Sequence, residues 1–141
     1  KETTGHDINI TEAQAEKIVG TKIFEKVRSS SLAIYGHAHN LLQKKSITLA
    51  DTKFEYGALG DGSIILIDEC LTPDSSRFMV NYSPEQTPTS FDKQFVRDWV
   101  LSTGWDKNPP APDIPPEIVE QTRDRYLEAY RLITGKELDL D

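Results

Sequence analysis

Apolar residues recur at helical spacing in four segments of the chain. Thr11 and Gln14 have the spacing of a capping box, so a short helix should begin there. Thr89 or Ser90 can cap a third helix, and Pro116 suits the first turn of the last one, which Gly135 ends. The predicted helices span residues 11–20, 22–44, 89 or 90–101, and 116–134.

The period changes to two residues after the second helix. The run ITLADTKFEY is rich in residues that favour strands, a turn GALGDG follows, and SIILIDE reads as a second strand. Residues 47–69 therefore predict a β-hairpin. Residues 71–91 look irregular, because Pro84 and Pro88 discourage a central strand there. Together the elements predict an α+β fold in which an antiparallel hairpin or sheet packs with helices.

The first predicted strand carries charges on one face. Alternation along it places Asp51, Lys53 and Glu55 on the same side. At the end of the second strand, Asp68 and Glu69 point to opposite faces, so one of them shares the face of Glu55. If Asp68 is that residue, Asp51 lies nearest to it across the hairpin and Glu55 farther along; the sequence leaves this register open.

Such a face suits magnesium and a polyphosphate. Carboxylates hold the ion, and a lysine offsets anionic charge without coordinating it. Taken alone, alternating charges on a strand more often mark a solvated face than a site. The change from apolar residues to acids just before an irregular loop favours the site.

The loop from Thr72 to Arg77 offers hydroxyls, backbone amides and one guanidinium. This set suits a phosphate monoester, which arginine binds bidentately, although a serine turn beside a surface arginine has the same sequence. Lys93 and Arg97 are four residues apart and share a helix face, a spacing that by itself marks a solvated face more often than a site. His6 and Asp7 form a possible acid-base or orienting pair.

Composition narrows the classes of function. The chain has 141 residues, 37% of them apolar, which is enough for one domain. A formal net charge of -7 argues against nucleic-acid binding. A single cysteine excludes an internal disulfide, and no apolar run is long enough for a membrane span, so a reducing cytoplasm fits best. The first residue is Lys1 and Met79 is the single methionine, so we expect the chain to begin downstream of a translation start.

Several blocks resemble one enzyme family in the same order along the chain. These blocks are ADTKFEYG, LIDECLTPDSSR, SFDKQFVRDW and EIVEQTRDRYLEAYRLITG, preceded by GHDINITEAQAEKIVG. Together they closely resemble the C-terminal half of phosphoribosylaminoimidazole-succinocarboxamide synthases. The resemblance covers nearly the whole chain.

The resemblance implies an ATP-grasp-like C-terminal lobe spanning residues 1–141. It also implies a ligase of purine biosynthesis that joins L-aspartate to 5-amino-1-(5-phosphoribosyl)imidazole-4-carboxylate. This reaction cleaves ATP to ADP and phosphate and requires Mg²⁺. The N-terminal nucleotide-binding lobe is absent, so we expect the chain alone to be inactive, or a second polypeptide to supply the missing half.

The family's functional positions map onto this sequence in four groups. By resemblance, Glu55 and Asp68 match acids that bind metal and nucleotide, and Lys53 and Asp51 match catalytic residues of the same strand. Ser76 and Arg77 match the loop that contacts the ribose phosphate. The remaining substrate-binding matches are Lys1, His6, Asp7, Lys93 and Arg97. Two rival hypotheses are a noncatalytic phosphoribosyl-nucleotide-binding module and a metal-dependent phosphohydrolase.

Overall fold

The computed structural model describes residues 8–80, 89–91 and 93–139, except for the side chains of residues 89 and 90. These residues form four helices and five strands, which confirms the α+β prediction. In chain order they are α1 (Glu12–Val19), α2 (Thr21–Gln43), β1 (Ile47–Thr52), β2 (Glu55–Ala58), β3 (Ile64–Ile67), β4 (Ser76–Val80), β5 (Thr89–Ser90), α3 (Gln94–Ser102) and α4 (Pro116–Thr134). None of the described helices is long and apolar enough to cross a membrane.

Local signals placed the first two helices and the last one correctly. The Thr11 hydroxyl accepts a hydrogen bond from the Gln14 amide at 3.2 Å, and the Gln14 side chain accepts one from the Thr11 amide at 2.9 Å. Gly20, at φ 83°, separates α1 from α2. At the end of α4, Gly135 adopts a left-handed conformation at φ 73°. The capping box and the glycine stop are thus confirmed.

The hairpin predicted over residues 47–69 is wrong in its first half. β1 pairs antiparallel with β4, and β4 also pairs with β5, whereas the hairpin itself contains β2 and β3 alone. The break lies at Lys53 and Phe54, where the Lys53 amide donates to the Ser75 carbonyl at 3.0 Å. The chain therefore continues its bonds toward β4 before it turns into β2.

The segment predicted to be irregular contains two strands. β4 lies in the middle of the three-stranded sheet, and β5 pairs with Met79 and Val80. Thr89 and Ser90 thus form a strand and do not cap α3; Lys93 occupies the capping position instead. The hydrogen bond from the Phe91 amide to the Phe78 carbonyl, at 3.2 Å, holds this connection against the sheet.

The hydrophobic core lies between this sheet, α2 and α4. Ile47, Leu49 and Phe78 are almost completely buried, and Leu49 and Phe78 are cross-strand partners. Four further buried residues complete the core: Ala38, Leu42, Phe91 and Ala129. Because successive side chains of a strand alternate between faces, burying Ser76 and Phe78 leaves Arg77 exposed on the opposite face of β4. The packing of the core therefore decides which β4 side chain reaches solvent.

Candidate functional site

A polar cleft of about 370 Å³ lies between the sheet, the loop before β4 and the start of α3. Six residues singled out from the sequence line it, together with three that were not. The lining residues are Asp51, Lys53, Asp74, Ser75, Ser76, Arg77, Lys93, Gln94 and Arg97. The fold thus brings residues from three separate sequence blocks to one place.

Asp51 and Arg77 form a bidentate pair on one wall of the cleft. They are cross-strand partners of β1 and β4, just beyond a register shift after Leu49. The Arg77 Nε donates to both carboxylate oxygens of Asp51, at 2.9 and 3.0 Å, and its Nη2 donates to Oδ2. Hydrogen bonding from Arg77 lowers the pKa of Asp51, with burial opposing it. The expectation that Asp51 lies across from Asp68 is therefore wrong, because β1 pairs with β4.

The loop before β4 is a hydrogen-bonded turn rich in hydroxyl groups. The Thr72 amide donates to Ser75 Oγ at 3.1 Å, and the Ser76 amide donates to the Thr72 carbonyl at 2.9 Å. Ser76 is 3% exposed, and its hydroxyl lies 2.8 Å from that of Thr52. The serine-turn alternative is thus correct for the backbone. Ser76 and Arg77 both line the cleft, but the Ser76 side chain is buried against Thr52 whereas the Arg77 side chain is half exposed.

Lys93 and Arg97 supply the opposite wall. The Arg97 amide donates to the Lys93 carbonyl at 3.1 Å, so the two cations lie one helical turn apart. Lys93 Nζ lies 3.1 Å from Asp74 Oδ1. The hydrogen bond from Lys93 lowers the pKa of Asp74, with smaller contributions from Glu69 and from the charge of Arg97, against desolvation. Asp74 was not predicted as a site residue, although it belongs to the PDSSR run that was predicted to contact a phosphate.

The charges along the cleft favour anions. Lys53, Arg77, Lys93 and Arg97 contribute four positive charges, and Asp51 and Asp74 contribute two negative ones, which leaves a formal charge of +2. The whole chain carries -7. A local cationic site on an acidic protein attracts a small anion more strongly than its surroundings do.

The cleft lining does not include Glu55 or Asp68. Glu55 forms an ion pair with Lys53 and lies opposite Ile67 in the hairpin, so Asp68 follows its cross-strand partner directly. Asp68 has a φ of 65°, and its carboxylate accepts a hydrogen bond from the Glu69 amide at 2.9 Å. The sequence had suggested one continuous strand face that carries Asp51, Lys53 and Glu55. This is wrong, because β1 ends at Thr52 and β2 begins at Glu55.

Glu55, at the start of β2, and Asp68, directly after β3, both supply carboxylate oxygens, the ligand type that Mg²⁺ takes. Mg²⁺ is commonly held by one or two carboxylates and completes its shell with waters and substrate phosphates. Within the described ranges no group of three or more His, Cys, Asp or Glu residues is arranged to hold a metal. Lys1, His6 and Asp7, which were also predicted to contact substrates, lie outside the described residues.

A larger apolar groove of about 690 Å³ lies between α1, α2 and the β2–β3 hairpin. Its lining includes Val19, Ile23, Phe24 and Tyr56. Val19 and Ile23 are more than a third exposed. Such a surface suits contact with a polypeptide, in contrast to the cationic cleft.

Comparison with known proteins identifies the family. The family model described as SAICAR synthetase matches residues 1–112. A phosphoribosylaminoimidazole-succinocarboxamide synthase of Desulfatibacillum aliphaticivorans is 52% identical over 132 residues, covering 92% of this chain and 44% of the relative. Its counterpart in Maridesulfovibrio salexigens is 47% identical over 136 residues, covering 95% and 45%. The chain thus spans less than half the length of these relatives.

Solved structures agree with the sequence relatives. A Saccharomyces cerevisiae SAICAR synthase complexed with SAICAR superposes with a TM-score of 0.79 at 38% identity, over 94% of this chain and 45% of that one. A SAICAR synthetase in complex with ADP superposes with a TM-score of 0.68 at 27% identity, over 96% and 48%. From its sequence and its fold alike, the chain belongs to the SAICAR synthetase family.

Proposed function

We propose that this chain is the C-terminal lobe of an ATP-dependent ligase. The complete enzyme joins L-aspartate to 5-amino-1-(5-phosphoribosyl)imidazole-4-carboxylate and produces SAICAR, ADP and phosphate. The observation that carries the proposal is the convergence of six family-matched residues on one cleft of formal charge +2 in a member of this family. The relatives carry the synthase name, and solved relatives hold SAICAR or ADP.

Within this proposal, Arg77 and Ser76 bind the ribose phosphate. Arginine presents a planar fork of donors that matches a phosphate, and the adjacent turn supplies hydroxyls. Lys93 and Arg97 face the same space and balance the remaining negative charge of the substrates. A phosphate monoester carries close to two negative charges at neutral pH, which matches the formal charge of the cleft.

Glu55 and Asp68 would hold the magnesium ion together with the phosphates of ATP. The ion supplies Lewis-acid stabilisation of charge on the transferring phosphoryl group. Lys53 lines the cleft, and its ammonium pairs with Glu55. We assign it to offsetting anionic charge during the reaction. Asp51 holds Arg77 in its bidentate orientation and thereby acts on the substrate through Arg77.

The reaction then follows in two displacements. A carboxylate oxygen of the imidazole substrate attacks the γ-phosphorus of ATP, which forms an acyl phosphate and releases ADP. The amine of aspartate attacks the acyl carbon, the amide bond forms and phosphate leaves. No covalent protein nucleophile is required, so the residues of the cleft act by aligning the substrates and neutralising their charge.

The rest of the enzyme is the partner in this proposal. Relatives are about twice as long as this chain, and the N-terminal portion would contribute the nucleotide-binding lobe. The apolar groove beside α1 and α2 supports the presence of a polypeptide partner. We place the enzyme in the cytoplasm, because its substrates would be phosphorylated metabolites that do not cross membranes freely.

The test is ADP release by this chain joined to the N-terminal portion of the Desulfatibacillum relative. ATP, Mg²⁺ and the imidazole carboxylate are supplied with and without aspartate, and the unjoined chain is assayed in parallel. We expect ADP release that depends on aspartate from the joined protein and none from the chain alone.

Three outcomes count against the proposal. Turnover by the chain alone contradicts the need for a second lobe. ADP release that ignores aspartate favours a phosphohydrolase. Binding of the imidazole nucleotide without magnesium dependence and without turnover favours a noncatalytic module. The relative's own full-length enzyme serves as the positive control for the substrates.

A further inference from the structure

Each wall of the cleft contains one ion pair between a cation and an aspartate. On the sheet, Asp51 holds Arg77; at the start of α3, Asp74 holds Lys93. The two pairs arise from different elements, because Asp74 belongs to the loop before β4 and Lys93 occupies the capping position of α3. The second pair therefore ties α3 to the loop that presents Ser76 and Arg77.

We propose that Asp74 is a positioning residue, which holds the Lys93 ammonium at the cleft, where it can meet the phosphate of a substrate. This inference rests on the proposed function in that both need the cleft to bind a phosphate monoester. Asp74 acts through Lys93 and does not itself touch the substrate. Its carboxylate would repel a phosphate if it were the nearer group.

The geometry explains why a carboxylate is tolerated in an anion site. A lysine side chain has a flexible four-carbon stem and loses rotamer freedom when its ammonium is held in one place. The Lys93 side chain is 40% exposed, so packing against neighbouring residues restrains it only in part. The 3.1 Å contact with Asp74 reduces the conformations that Lys93 samples before substrate arrives.

The low pKa of Asp74 agrees with this role. Hydrogen bonding from Lys93 is its largest cause. A carboxylate that stays ionised keeps its lysine in place throughout the neutral pH range, whereas it is a poor base for the amine of aspartate. Asp74 thus suits orientation better than proton transfer.

The direction in which one substitution changes the affinity for an anion tests the proposal. Asp74→Asn removes a negative charge beside the cleft, so charge alone would strengthen the binding of an anion. Loss of positioning would weaken it. We expect the Kd of ribose 5-phosphate, measured by calorimetry on this chain, to rise about twofold to fivefold in Asp74→Asn, in line with the modest strength of exposed pairs.

Asp124→Asn is the matched control. Asp124 is also exposed and also contacts a cation at 3.1 Å, Arg123, but it lies on α4 outside the cleft lining. We expect its Kd to equal that of the wild type. In a Lys93→Gln background, Asp74→Asn should no longer weaken binding, because the group that it positions is gone. Tighter binding in the single variant, or equal weakening in both backgrounds, overturns the proposal.

A measurement without ligand separates this inference from the proposed function. NMR relaxation of the Lys93 ε-methylene reports how restricted the side chain is. We expect its order parameter to fall in Asp74→Asn and to stay unchanged in Asp124→Asn; equal order parameters in wild type and Asp74→Asn refute the positioning role. Failure of the wild-type chain to bind ribose 5-phosphate would instead count against the proposed phosphate site.

Discussion

Replacing Arg77 by glutamine tests the phosphate-binding wall of the cleft. A charge-assisted hydrogen bond contributes about 1.5–3 kcal/mol, which corresponds to about 10- to 150-fold in affinity. The Arg77 side chain is 52% exposed, so solvent screens it and the lower part of that range applies. We expect Arg77→Gln to raise the Kd of ribose 5-phosphate about 10- to 30-fold.

The same variant should leave the fold intact. Asp51 and Arg77 are both about half exposed, and exposed ion pairs contribute about 0–1 kcal/mol to stability. Arg123→Gln is a matched control, because Arg123 is 60% exposed and pairs with an aspartate outside the cleft. Calorimetry at constant ionic strength gives the affinities, and circular dichroism gives the Tm. If both arginine variants bind ribose 5-phosphate equally well, Arg77 does not bind the phosphate.

Three further predictions concern the scaffold and its response to pH. Phe78→Ala should lower the free energy of unfolding by about 3–5 kcal/mol, because Phe78 is 1% exposed in the core; a urea titration with a loss below about 1 kcal/mol would contradict this packing. Gly135→Ala should lower the free energy of unfolding by about 1–2 kcal/mol, because φ is 73°. Nothing lies within 4 Å of an added Cβ, so backbone strain is the only cause of this loss. Gly36 lies inside α2 with equally open space around an added Cβ, so Gly36→Ala should raise the free energy of unfolding by about 0.5–1 kcal/mol. A lower free energy of unfolding in Gly36→Ala would contradict the assignment of the Gly135 effect to backbone strain. The folded-state pKa of Asp51 lies below 3.8, so its stabilisation is present above that pH and is lost as pH falls through the folded value. The stability difference between wild type and Asp51→Asn should be constant near neutral pH and shrink below 3.8, and a difference that grows on acidification would reverse the sign.

Helix positions were predictable because their causes are local. The capping box joins Thr11 to Gln14, and the stop at Gly135 requires the left-handed conformation that glycine adopts without strain. Both signals act within about one helical turn. The start of α3 was the exception, because residues 89 and 90 pair with β4 and the helix begins only at Gln94.

Strand pairing was predicted less well because it joins distant residues. The sequence of residues 47–56 reads as one strand, but β1 ends at Thr52 and pairs with β4, in which Leu49 meets Phe78. Burial of both side chains in one core favours this pairing over a longer hairpin. Periodicity shows which residues suit a strand but does not show which other strand they pair with.

The residue types of the candidate site were recognisable from motif spacing and family resemblance. The DxKxE, PDSSR and DKQF blocks pointed to Asp51, Lys53, Arg77 and Lys93 before any fold was known. Which groups meet was set by tertiary packing: Asp51 binds Arg77 across 26 residues of chain, and Asp74 reaches Lys93 from another element. The sequence by itself determines which chemical groups are present. The distances between those groups depend on how core residues that are far apart in the sequence pack together, and this packing brings the separate charged blocks to one cleft.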